Sequence, residues 1–139
     1  MRFQGRVFRD GRHWLAEIPI LDAMTEGRTK GEAFAMAGDL VESLVGKADF
    51  HAEVHIGRAG QFEVGANDVR ALVALLLRRR RESSGLSLAE AAQKLGAKSR
   101  NAYARYEQGA AVPTVEKLNE LLAAVSPGGD FVLLQSRAT

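Results

Sequence analysis

Two stretches decide how this chain is read: Gly85-Leu86-Ser87-Leu88-Ala89-Glu90-Ala91-Ala92-Gln93-Lys94-Leu95-Gly96, and then Ser99-Arg100-Asn101-Ala102-Tyr103-Ala104-Arg105-Tyr106-Glu107-Gln108-Gly109. Ser87 and Glu90 have the spacing of a capping box, in which hydroxyl and carboxylate satisfy the free amides at a helix start. The box opens a short helix that runs to Leu95, and Gly96 stops it. Ser99 can cap a second short helix from Arg100 to about Gln108, which Gly109 ends. Two short helices joined by a glycine-containing turn make a helix-turn-helix.

The second of these helices is expected to face a ligand. Ala102 and Tyr106 are four apart and are predicted to point to the core, leaving Arg100, Asn101, Tyr103, Ala104 and Arg105 to point elsewhere. An arginine can donate two bonds to guanine and an asparagine can pair with adenine in the major groove. Lys98 and Ser99 precede the helix, where a phosphate also meets backbone amides. The expected DNA contacts are therefore Lys98, Ser99, Arg100, Asn101, Tyr103 and Arg105. Glu107 reads as an ion pair or cap inside the domain rather than a base contact.

Helices flank this pair. Asn67 or Asp68 can cap one whose apolar stripe is Val69, Leu72, Val73 and Leu76. Arg78 to Arg81 fall in its last turns, where positive charge suits the helix dipole. They span more than one turn, so one or two are expected to touch phosphate and the rest to be solvated. Pro113 and Thr114 open a last helix with Val115, Leu118, Leu121, Leu122 and Val125 on one face, and Pro127-Gly128-Gly129 breaks it. Phe131 to Leu134 reads as a terminal apolar strand, a candidate interface with a second copy.

The first half reads differently. Phe3, Gly5 and Val7 share one face of a strand, Asp10-Gly11 signals a tight turn, and Trp14, Ala16 and Ile18 alternate along a second strand that Pro19 ends. A short third strand falls near Ala23 to Glu26. Thr29 and Glu32 form another capping box, followed by Phe34, Ala37, Val41, Leu44 and Val45 at helical spacing, so a helix spans about Lys30 to Val45. Strict alternation over Phe50 to Ile56 predicts a strand with Phe50, Ala52, Val54 and Ile56 inward, and Gln61 to Val64 can pair back on it. The fold class is thus an α+β domain over residues 1–65, followed by an all-α helix-turn-helix domain with a terminal strand over residues 66–139.

Charge divides the same way. Residues 1–65 carry 8 Lys/Arg and 10 Asp/Glu, while residues 66–139 carry 11 and 7. A basic half points to nucleic acid and an acidic half to another kind of partner. Hydrophobic residues make up 46% of the chain, too many for disorder. The absence of cysteine excludes a disulfide framework and thiolate metal sites. No apolar run approaches the roughly 20 residues of a membrane helix, and the first ten residues are too polar for a signal peptide, so a soluble, cytoplasmic protein without a membrane partner is expected.

The leucine and alanine positions of the first short helix, its Leu95-Gly96 end, Glu107-Gln108-Gly109 and Pro113 resemble the Xre/Cro-type helix-turn-helix family across about residues 69–125. Between Gly96 and Gly109 this chain is one residue longer than the commonest pattern. The strand Trp14-Leu15-Ala16-Glu17-Ile18-Pro19, with Thr25-Glu26-Gly27-Arg28-Thr29-Lys30-Gly31-Glu32-Ala33 after it, resembles the HicB antitoxin domain over about residues 1–56. The usual Leu-Pro-Gly-Cys of that family is replaced by Leu21-Asp22-Ala23-Met24. The resemblance implies a pruned RNase H-like β-β-β-α-β fold. It also implies a partner, a small basic HicA-like toxin that cleaves mRNA, and repression of the chain's own operon. An antitoxin of this kind would bind palindromic operator DNA as a homodimer or higher even oligomer. The alternative is a free-standing regulator whose N-terminal domain senses a ligand.

Catalysis is not expected, nor a cofactor. His51 and His55 of His51-x-Glu53-x-His55 lie roughly 13 Å apart on a strand, too far to share a metal whose bonds are about 2 Å long. Asp10, Glu17, Asp22, Asp39 and Glu53 occur in a turn, on strands and on a helix, with no spacing that suggests a metal-holding pair for nuclease chemistry.

Overall fold

The computed structural model describes residues 1–136 and divides into two compact units. The first comprises Met1–Leu72 with residues 134–136, and the second is Val73–Leu133. The division falls seven residues beyond the expected boundary at 65, and the last described residues belong with the first unit rather than with the helices.

The first unit is a five-stranded antiparallel sheet with one long helix on one face. Strands β1 (Phe3–Asp10), β2 (His13–Ile18) and β3 (Ala23–Gly27) form a meander. Helix α1 (Lys30–Val45) follows, then the hairpin β4 (Ala52–Ile56) and β5 (Gln61–Ala66). β5 pairs with β1, giving the order β3-β2-β1-β5-β4. The expected α+β class holds, and β5 is the strand expected at Gln61 to Val64, one more than the β-β-β-α-β order that the family resemblance implies. A 3-10 turn at Pro19–Leu21 connects β2 to β3.

Register puts Phe3, Val7, Ala16, Ile18, Phe62 and Val64 on the helix side, all buried. Phe34 of α1 meets Phe62 edge to face, with ring centroids 5.8 Å apart. Gly5 lies beneath the Phe62 ring, where any Cβ would collide with it, so the aromatic fills the space that a side chain at position 5 would take. Gly27 meets the start of α1, with the position of a Cβ only 2.6 Å from the amide nitrogen of Ala33. Ile56 has the inward parity predicted for it but is 54% exposed, because β4 is an edge strand. Phe50 is buried as expected, although it lies before β4 begins.

Local chemistry sets the helix limits. Thr29 accepts from the amide of Glu32 at 3.0 Å, and Gly46 ends α1 in the left-handed region. Asn67 and Asp68 divide the work at the next helix. Asn67 accepts from the amide of His51 and donates to the carbonyl of Asp49, both at 2.9 Å. Asp68 accepts from the amide of Ala71 at 3.0 Å and so caps α2 (Val69–Ser83). That amide bond is the main reason the Asp68 carboxyl titrates below the usual aspartate range.

The second unit contains the rest of α2, then α3 (Leu88–Leu95), α4 (Arg100–Glu107) and α5 (Val115–Val125). Its core draws on Leu75, Leu76 and Leu77 of α2, Ala91 and Ala92 of α3, Tyr103 and Ala104 of α4, and Leu121, Leu122 and Val125 of α5. Phe131 to Leu134, expected as a strand, has no regular structure here. Val132 and Leu133 are fully or nearly fully exposed. A strand needs a partner to hold its ladder, and among the described residues no strand pairing involves this stretch.

Candidate nucleic-acid interface

Helix α3 is closed at both ends. Ser87 accepts from the amide of Glu90 at 3.0 Å, and the Glu90 carboxylate accepts from the amide of Ser87 at 3.2 Å. The expected capping box is complete, and it holds the Glu90 carboxyl below the usual glutamate range. Gly96 supplies the left-handed stop, with φ 77°.

Helix α4 has a different construction. Ser99 occupies the cap position, but its side chain makes no capping bond. Lys98, Ser99, Arg100, Asn101 and Arg105 are all exposed. Asn101 and Arg105 are four apart on α4 and so share one face of it, with Arg100 beside them, while Lys98 and Ser99 lie in the turn before the helix. Five of the six expected contact residues are thus exposed, in the turn before α4 or on the helix itself.

Tyr103 is the exception and a correction. It is fully buried, and its hydroxyl faces the carbonyl of Leu77 on α2 at 3.5 Å. Burial pushes its ionisation far above the usual tyrosine range. It cannot touch a ligand. Ala102 and Tyr106, expected inward, are half-exposed, and Ala104, expected outward, is buried. The helix is rotated by about one residue, roughly 100°, from the phase expected. Tyr106, beside Arg105, is therefore the aromatic that a ligand could reach, and the expected contacts omitted it.

The phase is set by an ion pair. Glu107 lies four residues after Tyr103, on the same inward face. Its carboxylate takes two bonds from the Arg81 guanidinium, at 2.6 and 3.0 Å, and both side chains are mostly covered. Arg81 also donates to the carbonyl of Leu86 at 2.8 Å. One side chain thus ties α2 both to the loop before α3 and to the end of α4. The bond to Glu107 raises the already high arginine value further.

The rest of the arginine run is similarly engaged. Arg80 reaches the Ser126 hydroxyl at 3.2 and 3.3 Å, while Arg78 and Arg79 pair with Glu82 at 3.8 and 3.4 Å. All four arginines are half-buried. The expected solvated remainder is thus partly tied: Arg80 and Arg81 to other elements of the unit, and Arg78 and Arg79 to Glu82 on the surface of their own helix. Lys98, Arg100 and Arg105 are exposed cations of the turn and of α4.

A shallow groove of about 470 Å³ opens between α3 and α5, lined by Lys94, Leu95, Glu120, Ala123, Ala124 and Pro127. Among the described residues no group of three or more His, Asp or Glu side chains could hold a metal ion, and no helix is long and apolar enough to cross a membrane.

Residues 72–126 match the family model of a helix-turn-helix domain. A comparison with curated proteins returns no match. The matched span covers α2 to α5 almost completely, so the C-terminal unit is a helix-turn-helix domain, a class of DNA-binding module that serves transcription regulation.

Proposed function

We propose that the chain is an antitoxin-type repressor. The helix-turn-helix unit binds operator DNA, reading base edges with Arg100 and Asn101 and gripping phosphates with Lys98, Ser99 and Arg105. The observation that carries this reading is the division of labour on α4. Tyr103 and Glu107 fix the helix from behind, and a polar, positively charged ridge is left facing outward. A fixed reading helix loses little freedom on binding, which favours affinity. Two copies place two reading helices on a palindromic site about 34 Å apart.

The N-terminal unit, read as the pruned RNase H-like domain of such antitoxins, covers a small basic mRNA-cleaving toxin. Support comes from the order of three strands and a helix, from the sheet face that α1 leaves open, and from the acidic balance of residues 1–65. On this reading the chain catalyses no reaction and needs no cofactor. Co-expression with the small basic protein encoded beside it should yield a stable complex and restore growth that the partner alone arrests. Specific DNA binding without any such complex would transfer the support to a free-standing regulator.

A further inference from the structure

The acidic balance of the first unit conceals a strong polarity that only the sheet register reveals. Trp14 pairs with Gly27, so the start of β2 lies beside the end of β3. Asp10 pairs with His13, so the β1–β2 turn lies at that same end, and the amide of Val7 bonds the carbonyl of Gly60, so the β4–β5 turn points toward it and meets β1 three residues short of Asp10. Arg9, Arg12, Arg28, Lys30 and Arg58 therefore gather at one end of the sheet, against three acids, Asp10, Glu26 and Glu32. The remainder of residues 1–65 holds three cations and seven acids.

All five cations are exposed, and among the described residues none of them is in an ion pair. Trp14 lies near two of them. The Arg9 guanidinium and the Lys30 ammonium each lie 6.0 Å from its ring centre. Arg9 also donates to the carbonyl of Gly11 at 3.1 Å. The ring thus holds two long side chains in place without neutralising them.

We propose that this end of the sheet is a second nucleic-acid contact, taking the phosphodiester backbone through Arg9, Arg12, Arg28, Lys30 and Arg58. The cations flank β3, β2, β1 and β5 in turn, and three strand spacings make a row roughly 14 Å wide. A duplex strand carries one charge per roughly 3.4 Å of helix axis, with a longer path between phosphates along the backbone itself, so a row of that width meets a few successive phosphates. An extended acidic peptide rises about 3.3 Å per residue with alternate side chains facing away, so it would present only about two carboxylates along the same row even if every residue were acidic. The contact carries no base code, so it adds affinity without sequence preference. It does not depend on the helix-turn-helix reading and goes beyond the protein-binding role proposed for this unit.

The test uses the full chain carrying Arg100→Ala/Asn101→Ala, which silences base reading. Its binding to a labelled duplex of scrambled sequence is measured at several salt concentrations, with single-stranded RNA of equal length as a second arm. Salt-sensitive binding should persist on the duplex. Adding Arg9→Ala/Arg12→Ala/Arg28→Ala/Lys30→Ala should weaken it about tenfold or more and flatten the logarithmic salt slope by about three to four. Lysine at the three arginine positions should restore most of it, which a folding defect would not allow. A loss with the four alanines that appears only in the RNA arm would support the backbone contact and assign it to a single strand. Equal binding with and without the four alanines, or equal loss with the lysine set, would overturn the proposal.

Discussion

Helices α3 and α4 are both eight residues long and adjacent, yet they are held by opposite means. α3 is secured at its ends by local bonds that its own sequence supplies: a complete capping box and a left-handed glycine. α4 lacks a side-chain cap and is secured from behind, by a buried tyrosine and a glutamate that reach back to α2. The difference teaches how a short helix can be both rigid and available. Anchoring from the rear leaves the front and the N-terminus of α4 free for a ligand. An isolated helix of this length is not stable in water, so tertiary anchoring must hold it.

The largest effect should come from breaking the rear anchor. Glu107→Leu leaves the mostly covered Arg81 unpaired and should cost about 3 kcal/mol, read as a lowered denaturant midpoint. Arg81→Met/Glu107→Leu should cost less than either single change, because no orphaned charge remains. A double variant as unstable as the sum of the two singles would mean the pair is not coupled. Next comes the front of the helix. Arg100→Ala should leave the melting temperature unchanged and cost about 1–3 kcal/mol in DNA affinity. A stability loss without an affinity loss would show that Arg100 faces inward.

Capping effects are smaller and separate the two helices directly. Ser87→Ala should cost about 1 kcal/mol, whereas Ser99→Ala should leave stability almost unchanged, because only the first side chain makes a capping bond. Equal losses would dissolve the contrast. The smallest effect concerns pH. Glu90 has its folded value depressed by the Ser87 amide, so its contribution is present above the ordinary glutamate range and disappears as pH falls through the folded value. Glu90→Gln should therefore melt lower than wild type at neutral pH and together with it in acid. A constant difference at all pH values would place the effect elsewhere.

The same contrast explains what the sequence revealed. Local features were legible: Ser87 with Glu90, Thr29 with the Glu32 amide, the glycine stops at 46 and 96, and the Asp10-Gly11 turn all appear where spacing put them. Features that depend on a distant partner were not. Two tyrosines three apart on α4 have equal apolar appeal, and the choice between them rests on Arg81, more than twenty residues earlier. The signal was present in Glu107. An internal ion pair there requires the helix face it shares with Tyr103 to be the inward one. Phe131 to Leu134 has strand composition, but a strand requires a neighbouring edge, which composition does not report. The polarity of the first unit was equally hidden, because Arg9, Arg28 and Arg58 become neighbours only through strand order.

The most direct test of the account is a gel-shift titration of the chain against its own upstream DNA at two salt concentrations, with Arg100→Ala/Asn101→Ala alongside. Specific binding that weakens steeply with salt and is lost in the variant is the predicted result. Failure of the wild-type chain to distinguish that DNA from unrelated duplex would contradict the assignment of α4 as a reading helix.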